Sequence, residues 1–112
     1  MEDAVITRIM PNSLEAEQSV VGSMIMDKQA IITAGEMLTT EDFYHKQYGV
    51  MFQTMVEMNN EGKPVDIVTL QERLKEKNVP AEVYSLEFIR DLLSAVPTSA
   101  NIRQYAGIVK DK

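Results

Sequence analysis

The stretch Asn12-Ser13-Leu14-Glu15-Ala16-Glu17-Gln18-Ser19-Val20-Val21-Gly22-Ser23-Met24-Ile25-Met26-Asp27 decides the fold class. Pro11 precedes it, Asn12 is a residue type that caps helices, and Glu15 stands three positions on, where a capping-box carboxylate belongs. The spacing predicts a helix over about residues 13 to 26, with residues 1 to 11 as a flexible N-terminal arm. Leu14, Val20, Val21, Met24 and Ile25 then fall within roughly 140° on a helical wheel, an inner stripe. Glu17 lies inside that stripe, between the directions of Met24 and Val21. A carboxylate there needs donors, since an unpaired buried charge costs several kcal/mol. The expectation is that Glu17 accepts from backbone N–H groups of a loop or helix start, or from a tyrosine hydroxyl.

Outward from this helix, apolar residues keep recurring at three- and four-residue spacing, with Gly and Pro as punctuation. Asp27 caps a second helix with Ala30, Ile31, Ala34, Met37 and Leu38 on one side. Thr39 to Phe43 carries cap-type residues and leads into a third, about 44 to 59, through Tyr44, Tyr48, Met51, Phe52, Met55, Val56 and Met58. Asp66 caps a fourth that runs through about Lys77, with Ile67, Leu70 and Leu74 inward. A loop with a helical turn at Ala81 to Tyr84 precedes a fifth, Ser85 to Ala95. Pro97 breaks it, and Thr98 or Ser99 starts a sixth through Ile102, Tyr105, Ala106, Ile108 and Val109. The prediction is an all-α, small orthogonal bundle of about six helices, occupying residues 12 to 112. The last helix lacks a stop signal, so the polypeptide is expected to continue.

Of 112 residues, 45% are hydrophobic and 25% charged, the balance of one folding domain. There is no cysteine, which excludes disulfides, thiolate metal sites and thiol nucleophiles and suits a reducing, cytoplasmic setting. The net charge is −6, and the basic residues are scattered: residues 1 to 56 hold only Arg8, Lys28 and Lys46. Direct nucleic-acid binding is therefore disfavoured. Apolar runs fall far short of the ~20 residues that cross a bilayer, so no membrane association is expected. His45 is the one histidine, read as a solvated or partly buried surface residue, and no phosphate loop of the GxxxxGK[ST] type occurs. The high count of eight methionines suits core filling, because Met24, Met51, Met55 and Met58 lie on inward stripes. No catalytic, cofactor or metal site is expected within these residues.

The fifth helix invites a different reading. Leu86, Ile89 and Leu93, with Val96 just beyond, take one flank; Phe88, Leu92 and Ala95 widen the apolar arc to roughly 180°, more than the ~100° one core contact requires. Phe88, Leu92 and Ala95 are the candidate partner-binding residues; the alternative is that Phe88 packs under the arm of residues 1 to 11.

Four separated segments carry a family likeness. Asn12 to Gly22 closely resembles the opening motif of the bacterial DnaB-type replicative helicases, and Glu41-Asp42-Phe43-Tyr44 is similar to a second motif of that family. Gly62-Lys63-Pro64-Val65-Asp66-Ile67-Val68-Thr69 and Val96-Pro97-Thr98-Ser99-Ala100-Asn101-Ile102 resemble two more, in the same order and at compatible spacing. The chain departs at Tyr48, where many relatives carry histidine, and over Asn78 to Tyr84, which lacks the paired glycines common in them. The resemblance implies the N-terminal collar domain of a hexameric, ATP-driven DNA helicase, pairing with itself and contacting primase and a helicase loader. It places ATP and magnesium in a RecA-like C-terminal domain absent from this chain, reached through a helical hairpin and linker. The competing readings are a free-standing helical adaptor, the helicase-binding domain of a primase, and a small self-contained enzyme.

Overall fold

A computed structural model describes the backbone of residues 3–94, 96 and 101–111, and side chains within those ranges from Leu14 onward. Six α-helices and two 3-10 turns follow one another: α1 Asp3–Met26, α2 Lys28–Met37, a turn at Thr40–Asp42, α3 Lys46–Asn60, α4 Ile67–Glu76, a turn at Ala81–Tyr84, α5 Leu86–Ser94 and α6 Ile102–Asp111. There is no strand among the described residues. The result is the all-α bundle the periodicity implies.

Helix α1 is the axis of the molecule, packed against α2, α3, α5 and α6. Ala16, Glu17, Val20, Val21, Ser23, Met24 and Ile25 are all buried, which leaves little of its circumference to water. A helix covered on most sides is a central one. Leu14, expected inward, is instead 37% exposed at the near end of this covered stretch. Helix α6 lies against α1 and α2 through Ile102, Ala106 and Val109, while α3 spans from α1 to α4 with Met51, Met55 and Met58 buried. Flexible methionines fill the irregular gaps between crossing helices here, together with Met24.

The helix starts follow local chemistry. Asp27 accepts from Gln29 N–H at 2.9 Å and opens α2. Asp66 accepts from Thr69 N–H at 2.9 Å while Thr69 Oγ1 accepts from Asp66 N–H at 2.9 Å, a reciprocal cap for α4. Asp42 accepts from Thr39 N–H at 2.8 Å, folding the Thr40–Asp42 turn. One start differs from expectation. Asn12 does not cap α1: the backbone is already helical from Asp3, so Asn12 sits at an interior helical position, with helical backbone from residue 3 to 11 before it. Residues 4 to 10 can all adopt helix, and Pro11 removes one bond of the ladder without ending it. The expected sixth-helix start at Thr98 or Ser99 lies outside the described residues.

Ion pairs fasten α4 to α3. Lys77 Nζ lies 2.9 Å from Glu57 Oε1, and Arg73 reaches Glu61 at 2.8 Å and 3.3 Å through its two terminal nitrogens. Lys77, followed by the Gln53 amide, holds the Glu57 carboxyl below its ordinary pKa. A depressed carboxyl pKa contributes stability above the unfolded-state value and loses it as pH falls through the folded one. Lys77→Ala should therefore lower the neutral plateau of a stability–pH profile slightly, as expected of a partly exposed pair, and flatten the acid limb below about pH 5 by the same amount, so that the two profiles converge in acid. Parallel profiles for the two proteins in urea titrations would contradict this.

Candidate partner-binding surface

The surface around α5 is built from the cap outward. Ser85 precedes the helix; its Oγ accepts from Phe88 N–H at 3.1 Å and donates to the Glu82 carbonyl at 3.1 Å, which welds the Ala81–Tyr84 turn to the start of α5. Gln71 on α4 donates to the Tyr84 carbonyl at 2.8 Å, so that turn is also held from below. Asn78 takes φ 61, a left-handed conformation that asparagine tolerates, and swings the chain from α4 toward Pro80.

These elements and the first turns of α3 enclose an open groove of about 720 Å³. Val50, Val79, Pro80, Val83 and Phe88 give it apolar walls, and Lys46, Glu82, Glu87 and Asp91 stand around it. Phe88 is half-buried, its ring stacked on Tyr48 at 6.1 Å between centroids and 20° between planes. Tyr48 meets His45 edge-on at 5.8 Å, and His45 in turn meets Glu17.

Glu17 is the anchor of that chain of contacts. Wholly buried, it accepts from Tyr44 N–H at 2.7 Å and His45 N–H at 3.0 Å, and its Oε1 lies 3.0 Å from His45 Nδ1, which donates. His45 is the N-cap residue of α3, so a carboxylate from α1 satisfies amides at the entry to another helix. The donors come from backbone, as expected. That the imidazole joins them was not legible from the sequence, where His45 reads as a lone surface residue; the signal was its place two residues past Phe43, at the end of the turn leading into α3. Tyr44, expected on the inner face of α3, precedes the helix and is 66% exposed.

The three residues proposed as partner contacts fare differently. Phe88 lines the groove. Leu92 is 2% exposed and belongs to the core beside Ile89, so it offers no surface to a partner. Its burial follows from the close seat of α5 on α1 at this end of the helix. The exposed surplus falls at the other end of the helix, at Leu86, 43% exposed. Ala95 lies outside the described residues, as do the side chains of residues 1 to 13 that the alternative packing of Phe88 invokes. Among the described residues, no group of three His, Cys, Asp or Glu could hold a metal ion, and no helix is long and apolar enough to cross a membrane.

Residues 9–111 match the family described as DnaB-like helicase N terminal domain. The chain belongs to that family. The crystal structure of the N-terminal domain of DnaB helicase from Mycobacterium tuberculosis superposes with a TM-score of 0.82 at 34% identity, covering 88% of this chain and 71% of that one. Replicative DNA helicase DnaB of Geobacillus stearothermophilus is 38% identical over the whole chain, and replicative DNA helicase DnaC of Bacillus subtilis is 35% identical. In both cases the chain spans 25% of the relative's length. The DnaB-like N-terminal domain thus accounts for nearly all 112 residues, and the bundle centred on α1 is its fold.

Proposed function

We propose that the chain is the assembly and partner-binding domain of a hexameric replicative DNA helicase. In this reading it pairs with copies of itself in a collar, recruits primase and a helicase loader, and so supports ATP-driven duplex unwinding at the replication fork in the cytoplasm. The observation that supports it is the family match over residues 9–111, together with relatives named as replicative DNA helicases. The residues fit a binding role. They supply an apolar groove and no phosphate loop, and their charge of −6 is spread without a basic face. In this reading ATP and magnesium belong to a separate nucleotide-binding domain of the whole helicase.

The purified 112-residue chain should turn over no ATP, retain no single-stranded DNA at moderate salt, and sediment as a monomer or weak dimer at micromolar concentration. The full-length helicase lacking this segment should fail to recruit primase in a pull-down. ATP turnover by the isolated chain, or undiminished primase recruitment without it, would overturn the reading.

A further inference from the structure

The groove between α3, the Ala81–Tyr84 turn and α5 has an apolar floor and an unbalanced rim. Three carboxylates, Glu82, Glu87 and Asp91, stand on it against one lysine, Lys46. All three are exposed. Among the described residues none of them has a cation within ion-pair distance, whereas Glu57, Glu61 and Asp42 elsewhere each have a lysine or arginine. Glu87 and Asp91 are four residues apart on α5, so they face the same way about 6 Å apart along its axis.

We propose that this groove docks a basic amphipathic helix from another protein, whose apolar side chains enter between Val50, Val83 and Phe88. Its lysines or arginines, at i and i+4, would meet Glu87 and Asp91. An apolar trough flanked by charge of one sign is the arrangement by which grooves receive amphipathic helices, with anchors giving affinity and rim charges giving orientation. A spacing of one turn between the two carboxylates matches the repeat of charges on such a ligand. A second copy of this chain is the poorer occupant. Each copy carries a charge of −6, and Arg73 and Lys77 are already engaged with Glu61 and Glu57 of their own chain. The proposal concerns this surface alone and stands apart from membership in a helicase ring.

The test uses the 112-residue chain and two synthetic helical peptides with one leucine pattern, lysine at the flanking i, i+4 positions in one and glutamate in the other. Calorimetry should show the lysine peptide binding at least tenfold more tightly than the glutamate peptide, with affinity falling as salt rises. Glu87→Lys/Asp91→Lys changes only exposed side chains and should keep the fold by circular dichroism while reversing the preference. Amide shifts on adding the lysine peptide should centre on residues 79 to 91 and the start of α3. Equal affinity for the two peptides, no binding of either, or shifts centred elsewhere would overturn the proposal. So would concentration-dependent self-association that the charge reversal abolishes, which would give the groove to a second copy.

Discussion

Glu17→Ala should lower the unfolding free energy by about 3 to 5 kcal/mol, the largest loss expected from any single polar truncation in this chain. The deletion removes the one carboxylate that receives Tyr44 N–H, His45 N–H and the His45 ring. Alanine takes their acceptor from two backbone amides in a part-buried site, each costing part of its desolvation. Total stabilities of small domains lie near 5–15 kcal/mol, so such a loss brings the fold close to its limit. Glu17→Gln should fall between alanine and the native protein, because its oxygen still accepts while its NH₂ confronts donors. His45→Ala should be the mildest of the three, since both amides keep their acceptor. Urea denaturation would show this order; a Glu17→Ala protein as stable as the native one would sink it, as would His45→Ala proving the worst.

How much of this was legible beforehand depends on the range over which each cause acts. Asp27 and Asp66 cap helices through partners two or three residues away, and such local chemistry can be read from the string. Glu17 was legible as a problem, a carboxylate at an apolar angle, because helical period depends on nothing outside the helix. Its solution was only half legible, since the donors lie 27 and 28 residues away and become available because α3 starts at Lys46 and not at Tyr44. Asn12 misled for the converse reason: a good local cap signal is overridden when the residues before it are themselves helical. For α5 the period marked a broad apolar arc without saying which part meets α1. Leu92 went to the core and Leu86 stayed exposed, a division set by tertiary packing. The groove was illegible altogether, because its walls come from α3, the Ala81–Tyr84 turn and α5 at once.

Gly22 is where α5 is seated, and the second large effect follows from it. A Cβ built on Gly22 would lie 2.5 Å from Val96 Cγ2, 3.4 Å from Val96 Cβ and 3.7 Å from the Leu92 carbonyl oxygen. Replacing a mid-helix glycine by alanine ordinarily gains about 1 kcal/mol of helix propensity. Here the clash should win. Val96 is β-branched and stiff at χ1, it is 7% exposed, and its backbone N–H is bound to the Leu93 carbonyl at 3.1 Å, so neither side chain nor backbone can retreat freely. Gly22→Ala should cost about 1–3 kcal/mol net, and Gly22→Leu more, by forcing α5 away from α1. Adding Val96→Ala to Gly22→Ala vacates the space the new methyl needs, so the double variant should be less destabilised than the sum of the singles by about 1–2 kcal/mol. Strict additivity in that cycle, or a Gly22→Ala protein more stable than the native one, would mean the contact does not govern the seat of α5. Because α5 also carries Phe88, Glu87 and Asp91, Gly22→Ala should weaken the lysine peptide as well, and the Val96→Ala partner should restore it. Such rescue through a residue that touches no ligand separates the positioning of the groove from its chemistry.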